Sequence, residues 1–179
     1  MNANGLKNIQ INLSVGEGGR DASLFIKREE RKKNVVLIAE DDLFIRKVLS
    51  SLLKDIATIY EVEDGDAVLK QYQKINPDIV LLDIHLPNKS GLDVIKSLNR
   101  EDSSAFIIVS SSDSVKGNVL QAIERGAIGF LAKPIQKDKL FSYVDQCTTF
   151  QMHNNISGKM PDQIKGENFD GSQKENISC

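Results

Sequence analysis

The sequence predicts an α/β fold, a doubly wound five-stranded parallel sheet with helices on both faces. Two observations predict it. Five short apolar runs alternate with segments of helical periodicity between residues 35 and 150, and alternating strand–helix units imply a parallel sheet covered on both sides. The apolar runs are also nearly continuous rather than alternating, as expected of strands buried on both faces.

The elements follow in order. Val35-Val36-Leu37-Ile38-Ala39 is the first strand. Phe44, Val48, Leu49, Leu52 and Leu53 recur at helical spacing. Thr58 to Val62 reads as the second strand, Asp64-Gly65-Asp66 as a turn, and a helix runs from there to Ile75. Pro77-Asp78 breaks that helix. Ile79-Val80-Leu81-Leu82 is the strongest strand signal. A loop from Pro87 to Gly91 leads into a helix over Leu92–Leu98. Phe106–Val109 is the fourth strand, and a helix around Val119, Leu120 and Ile123 stops near Gly126. Ile128–Leu131 is the fifth strand, and Leu140, Val144 and Cys147 mark the last helix.

The flanks differ in composition. Residues 1–34 are polar and glycine-bearing and are expected to form a flexible arm. The charged cluster from Lys27 to Lys33 reads either as a solvated segment or as a docking arm for an acidic partner. Residues 151–179 are expected to be a disordered polar tail, too short for a helix-turn-helix output domain.

Composition narrows the function. A formal net charge of −2 gives no reason to expect nucleic acid or a membrane surface as partner. Two cysteines, Cys147 and Cys179, make no disulfide scaffold and no C-x-x-C site. The N-terminus lacks the apolar run of a signal peptide, and no stretch reaches the ~18 apolar residues of a membrane span. A cytoplasmic protein is expected.

In open parallel sheets, ligands bind outside the carboxyl ends of the strands. Here those ends carry Glu40-Asp41-Asp42, Asp83, Ser110-Ser111-Ser112 and Lys133-Pro134. Clustered carboxylates repel one another and call for a hard cation. Mg²⁺ takes one or two carboxylates plus waters and phosphate oxygens. A lysine opposite them pairs with an aspartate or a phosphoryl oxygen, and a serine hydroxyl donates to another oxygen. The set fits phosphoryl transfer to a carboxylate. Each residue alone has a plainer reading: Asp83 as a turn former, Glu40-Asp41-Asp42 as a helix cap, Lys133 as a surface lysine.

From Val35 to Phe150 the chain resembles the response-regulator receiver family of two-component signalling. Val36-Leu37-Ile38-Ala39-Glu40-Asp41-Asp42 with Arg46 resembles the family's first motif. Pro77-Asp78 through Asp83-Ile84-His85-Leu86-Pro87, followed by Gly91, resembles its phosphoacceptor segment. Ile128-Gly129-Phe130-Leu131-Ala132-Lys133-Pro134 resembles its last motif. The resemblance implies a flavodoxin-like (βα)5 fold with strand order 2-1-3-4-5. It implies Asp83 as phosphoacceptor, with Lys133 and Ser111 assisting. It implies Mg²⁺ held by Glu40, Asp41, Asp83 and the main-chain carbonyl of His85. Phe130 occupies the position of the family's switch aromatic and Ser111 that of its switch hydroxyl. Ser111 follows from ungapped spacing, while Ser110 fits if a one-residue insertion comes later. His85 and Asp113 fall where the family tunes loss of the phosphoryl group. The Lys133–Pro134 bond is expected to be cis.

A histidine kinase or phosphotransfer protein is the implied donor and an unknown protein the downstream partner, without direct nucleic-acid or membrane contact. A phosphorylation-dependent dimer stays open. The domain is expected to be a phosphorelay switch rather than an enzyme. The alternatives are a phosphorylation-independent binding module and the receiver part of a truncated DNA-binding regulator. A haloacid-dehalogenase-type phosphatase is disfavoured, because its nucleophile follows the first strand.

Overall fold

The structure, a computed structural model, describes residues 19–112 and 116–150. Asp113 lies outside the described residues, as do residues 1–18 of the expected arm and the whole expected tail.

Five strands, β1 (Asn34–Ala39), β2 (Ala57–Val62), β3 (Ile79–Asp83), β4 (Ile107–Ser111) and β5 (Gly129–Ala132), pair in parallel in the order β2-β1-β3-β4-β5. The helices are α1 (Gly19–Glu29), α2 (Leu43–Leu53), α3 (Gly65–Ile75), α4 (Gly91–Glu101), α5 (Lys116–Glu124) and α6 (Lys137–Val144). The predicted fold class and strand order hold, and element ends move by one to three residues, most at the end of α4, as fraying ends do.

Side-chain alternation divides each central strand between two cores. Leu37, Ala39, Val80, Leu82, Ile107, Val109 and Phe130 pack with Val68, Tyr72, Val94, Ile95, Leu98 and Ala122 from α3, α4 and α5. Val36, Ile38, Ile79, Leu81, Ile108 and Leu131 pack with Leu49 and Leu53 of α2 and Leu140 and Val144 of α6, together with Cys147 and Phe150. All six β1 positions are buried, which explains the unbroken apolar run. Each such aliphatic side chain contributes about 1.5–3 kcal/mol by burial.

The strand order reverses between β1 and β3, so a crevice opens at their carboxyl ends. Short caps set the helices beside it. Asp42 accepts from the Ile45 N–H at 3.0 Å, and Ser90 Oγ accepts from the Leu92 N–H at 3.3 Å. These bonds satisfy amide groups that the first helical turn leaves free.

The N-terminal side departs from expectation. Residues 19–33 were expected within a flexible arm, yet they form α1 and a linker held to the domain by Arg28 and Arg31. The cause is charge, not apolar periodicity. The two arginines meet Asp102 and Asp78, which lie at the opposite edge of the sheet from the crevice.

Candidate functional site

Four strand ends converge. Lys133, just past β5, places Nζ 2.7 Å from Glu40 Oε1 and 2.7 Å from Asp83 Oδ2. Glu40 follows β1 and Asp83 ends β3, so the lysine bridges three strand ends at once. Both acids are buried and Lys133 is nearly so, at 13% side-chain exposure. The Lys133–Pro134 peptide is cis, as the sequence suggested.

Asp83 is held at both oxygens. Oδ2 takes Lys133, and Oδ1 accepts from the His85 N–H at 3.0 Å. The chain then turns sharply, with the Gly91 N–H donating to the Ile84 carbonyl at 2.9 Å. A Cβ at Gly91 would sit 2.1 Å from the Asp83 carbonyl oxygen, so only glycine fits beneath the aspartate. The His85 side chain is exposed.

Glu40, Asp41 and Asp83 offer carboxylate oxygens that all lie within 4.8 Å of one another. Glu40 Oε2 is buried and makes no hydrogen bond among the described residues. Burial first, then the neighbouring Asp83 carboxylate, push the Glu40 carboxyl up to about 7 against the pull of Lys133. Burial alone would lower the Lys133 pKa, yet its two carboxylate partners outweigh that and raise it. Three convergent carboxylates, one with an orphaned buried oxygen, fit a hard divalent cation such as Mg²⁺.

Asp42, the third acid of the run, is not in this cluster but caps α2. For that residue the plainer reading was the right one.

Arg46 builds the acidic pair from below, a structural part that sequence spacing noted without giving it a task. Its Nη1 donates to the Glu40 carbonyl at 2.5 Å and the Asp41 carbonyl at 3.3 Å. Its other nitrogens reach Glu61 near the end of β2 and Glu63 just after it. The signal was available: an arginine one helical turn after Asp42 lies under the strand-to-helix turn.

The serines occupy opposite faces. Ser110 is in register with Asp83, and Ser111 with Ala132. By alternation Ser111 shares the face of Ile107 and Val109, the core that also holds Phe130. Both serines are buried, and the Ser111 carbonyl accepts from the Lys133 N–H at 2.9 Å. Phe130 is 9% exposed, turned into the core.

Comparison with known proteins agrees with this geometry. The response regulator receiver domain profile matches residues 36–145. The chemotaxis protein CheY of Listeria monocytogenes is 34% identical over 113 residues, covering 62% of this chain and 95% of that protein. CheY of Thermotoga maritima is 38% identical over 111 residues, covering 59% and 89% respectively. Among solved structures, a chain of the CheX–CheY–BeF3–Mg²⁺ complex from Borrelia burgdorferi aligns with a TM-score of 0.60 and 27% identity, over 63% of this chain and 87% of that one.

A flavodoxin-like parallel sheet with an acidic crevice faced by a lysine is the architecture of a two-component receiver. The chain belongs to the response regulator receiver domain family.

Proposed function

We propose that this chain is a phosphorelay switch that accepts a phosphoryl group on Asp83. The observation that carries the reading is the Lys133 ammonium held 2.7 Å from both Glu40 and Asp83, with Asp41 beside them. Asp83 is the nucleophile. Its carboxylate oxygen forms the bond to phosphorus. The bond from phosphorus to the imidazole nitrogen of a donor phosphohistidine breaks, and its electron pair returns to that nitrogen.

Glu40, Asp41, Asp83 and the His85 carbonyl would hold Mg²⁺, which supplies charge neutralisation between the acids and the incoming phosphoryl oxygens. Lys133 pairs with a phosphoryl oxygen once the transfer has changed the charge at Asp83. Ser111 donates to another, and its shared face with Phe130 supports it over Ser110. Phe130 has no hydroxyl, so its inward state rests on packing alone. His85 borders the site from the loop after β3, and His85 and Asp113 would tune how readily water reaches the acyl phosphate.

The readout surface is α5 with β5. Leu120, Ile123 and Ile128 are exposed there, and the acyl phosphate shifts this face between two packings. The partner that reads it is a protein. The donor is a histidine kinase or phosphotransfer protein, which places the chain in the cytoplasm. No described helix is long and apolar enough to cross a membrane. The protein turns over no substrate of its own and acts as a switch, not an enzyme.

The test is incubation with acetyl phosphate and Mg²⁺, read by intact mass. The expected result is a gain of one phosphoryl group that requires Mg²⁺ and is lost in Asp83→Asn. An unchanged gain in Asp83→Asn would refute the assignment.

A further inference from the structure

The edge of the sheet opposite Asp83 carries a second feature, completed by α1, which precedes the matched residues 36–145. Tyr72, Asp78 and Asp102 form a buried recess there, and all three are at most 2% exposed. Arg28 of α1 enters it. Its Nη2 lies 2.5 Å from Asp102 Oδ2 and 2.6 Å from the Tyr72 hydroxyl, which itself donates to Asp102 Oδ2 at 2.6 Å. Arg31 adds a second pin, donating to the carbonyls of Ile75 at 3.0 Å and Asn76 at 2.7 Å and pairing with Asp78 at 2.9 Å. The Asn76 amide returns a bond to the Leu24 carbonyl at 2.9 Å.

The attachment is ionic rather than apolar. Leu24 and Phe25 are only half-buried, Ile26 is 51% exposed, and none of them belongs to either core. Segments with few buried apolar contacts open at lower free energy than the domain unfolds. Opening returns both charges of each pair to water, so it costs less than stripping one partner from a closed pair.

We propose that the recess at this edge is a docking site for an arginine-bearing segment, filled by the chain's own α1 and the turn after it as a releasable strap. The pins bear on the end of α3, the start of β3 and the end of α4. The other ends of β3 and α4 carry Asp83 and Gly91. The strap therefore fixes the far ends of two elements that build the crevice.

Cys147 reports on the strap. It is buried beside a cavity lined by Phe25, Arg28, Asp78, Ser104 and Phe106. With Cys179→Ser in the full chain, it is the single thiol. Its reaction with a soluble disulfide reagent would be followed in native buffer and in low urea, beside the global unfolding curve. The expected labelling is nearly independent of low urea, the signature of local opening. Arg28→Met should speed it at least about tenfold, since the pair it breaks is buried. Arg31→Gln, at a partly exposed position, is the milder variant and should speed it less. A synthetic peptide of residues 19–33, added in excess, should slow labelling of Arg28→Met. The same peptide with both arginines replaced by glutamine should not. Labelling that follows global unfolding in every variant would overturn the strap, and equal effects of the two peptides would overturn the docking site.

Discussion

Gly91→Ala and Gly117→Ala make the same chemical change at two helix starts and should move stability in opposite directions. At Gly91 the new methyl carbon would lie 2.1 Å from the Asp83 carbonyl oxygen, 2.8 Å from the Ile84 Cα and 3.0 Å from the Asp83 carbonyl carbon. A relaxed carbon–carbon contact is about 3.5–4.0 Å, so the start of α4 must retreat by roughly 0.7–1.2 Å to clear the Ile84 Cα and further to clear the oxygen. All the obstructing atoms are backbone, and no side chain can swing aside. Overpacking of this kind costs roughly 1–3 kcal/mol, against a helix-propensity gain of at most about 1 kcal/mol. At Gly117 nothing lies within 4 Å of the new carbon, leaving only the gain of about 0.5–1 kcal/mol. Urea denaturation followed by circular dichroism measures both, with midpoint and slope read separately. Gly91→Ala should also slow phosphorylation by acetyl phosphate, since the displaced backbone carries Asp83. A Gly91→Ala protein as stable and as reactive as wild type would refute the close-packed turn beneath Asp83.

Other expectations concern single charges. Lys133→Met should slow phosphorylation by acetyl phosphate on the order of a hundredfold, the usual loss when one preorganised donor is removed, measured by the rate of mass gain at fixed Mg²⁺. Arg46→Met leaves the buried Glu40 carbonyl without its donor, costing about 1–3 kcal/mol. It should also weaken Mg²⁺ binding in calorimetric titration while Asp83 stays intact. Burial would raise the Asp102 carboxyl, but the hydrogen bonds from Ser104 and Tyr72, together with Arg28, outweigh it and hold it below its usual value of 3.8. A lowered folded-state pKa gives stability that is full above the unfolded value and lost as pH falls through the folded one. Asp102→Asn should therefore be less stable at neutral pH and show a flatter acid limb below about pH 4 in a series of thermal melts.

The sheet was legible because burial on both faces writes itself as uninterrupted runs such as Val35–Ala39 and Ile79–Leu82. The site was legible because each candidate group follows such a run directly or one residue later. Polar groups at the carboxyl ends of parallel strands converge whatever their separation in sequence. Asp42 was ambiguous for the same reason, since an acid after a strand is also an acid before a helix, and only the bond to Ile45 separates the roles. The strap was illegible. Its helix exposes Ile26 and Lys27 while burying Arg28, so apolar periodicity gives no inward face. The basic cluster was read as either solvated or meeting an acidic partner. Arg28 and Arg31 do meet acidic residues, Asp102 and Asp78, within the same chain. No local pattern pairs residues that distant.

Asp83 is the proposed carrier of the phosphoryl group. Borohydride reduction of the phosphorylated protein, which converts an aspartyl phosphate to homoserine, followed by peptide sequencing by mass spectrometry, tests it residue by residue. Homoserine at position 83, dependent on Mg²⁺ and absent without phosphodonor, is the predicted result. Homoserine at position 41 or 42 with Asp83 unmodified would contradict it.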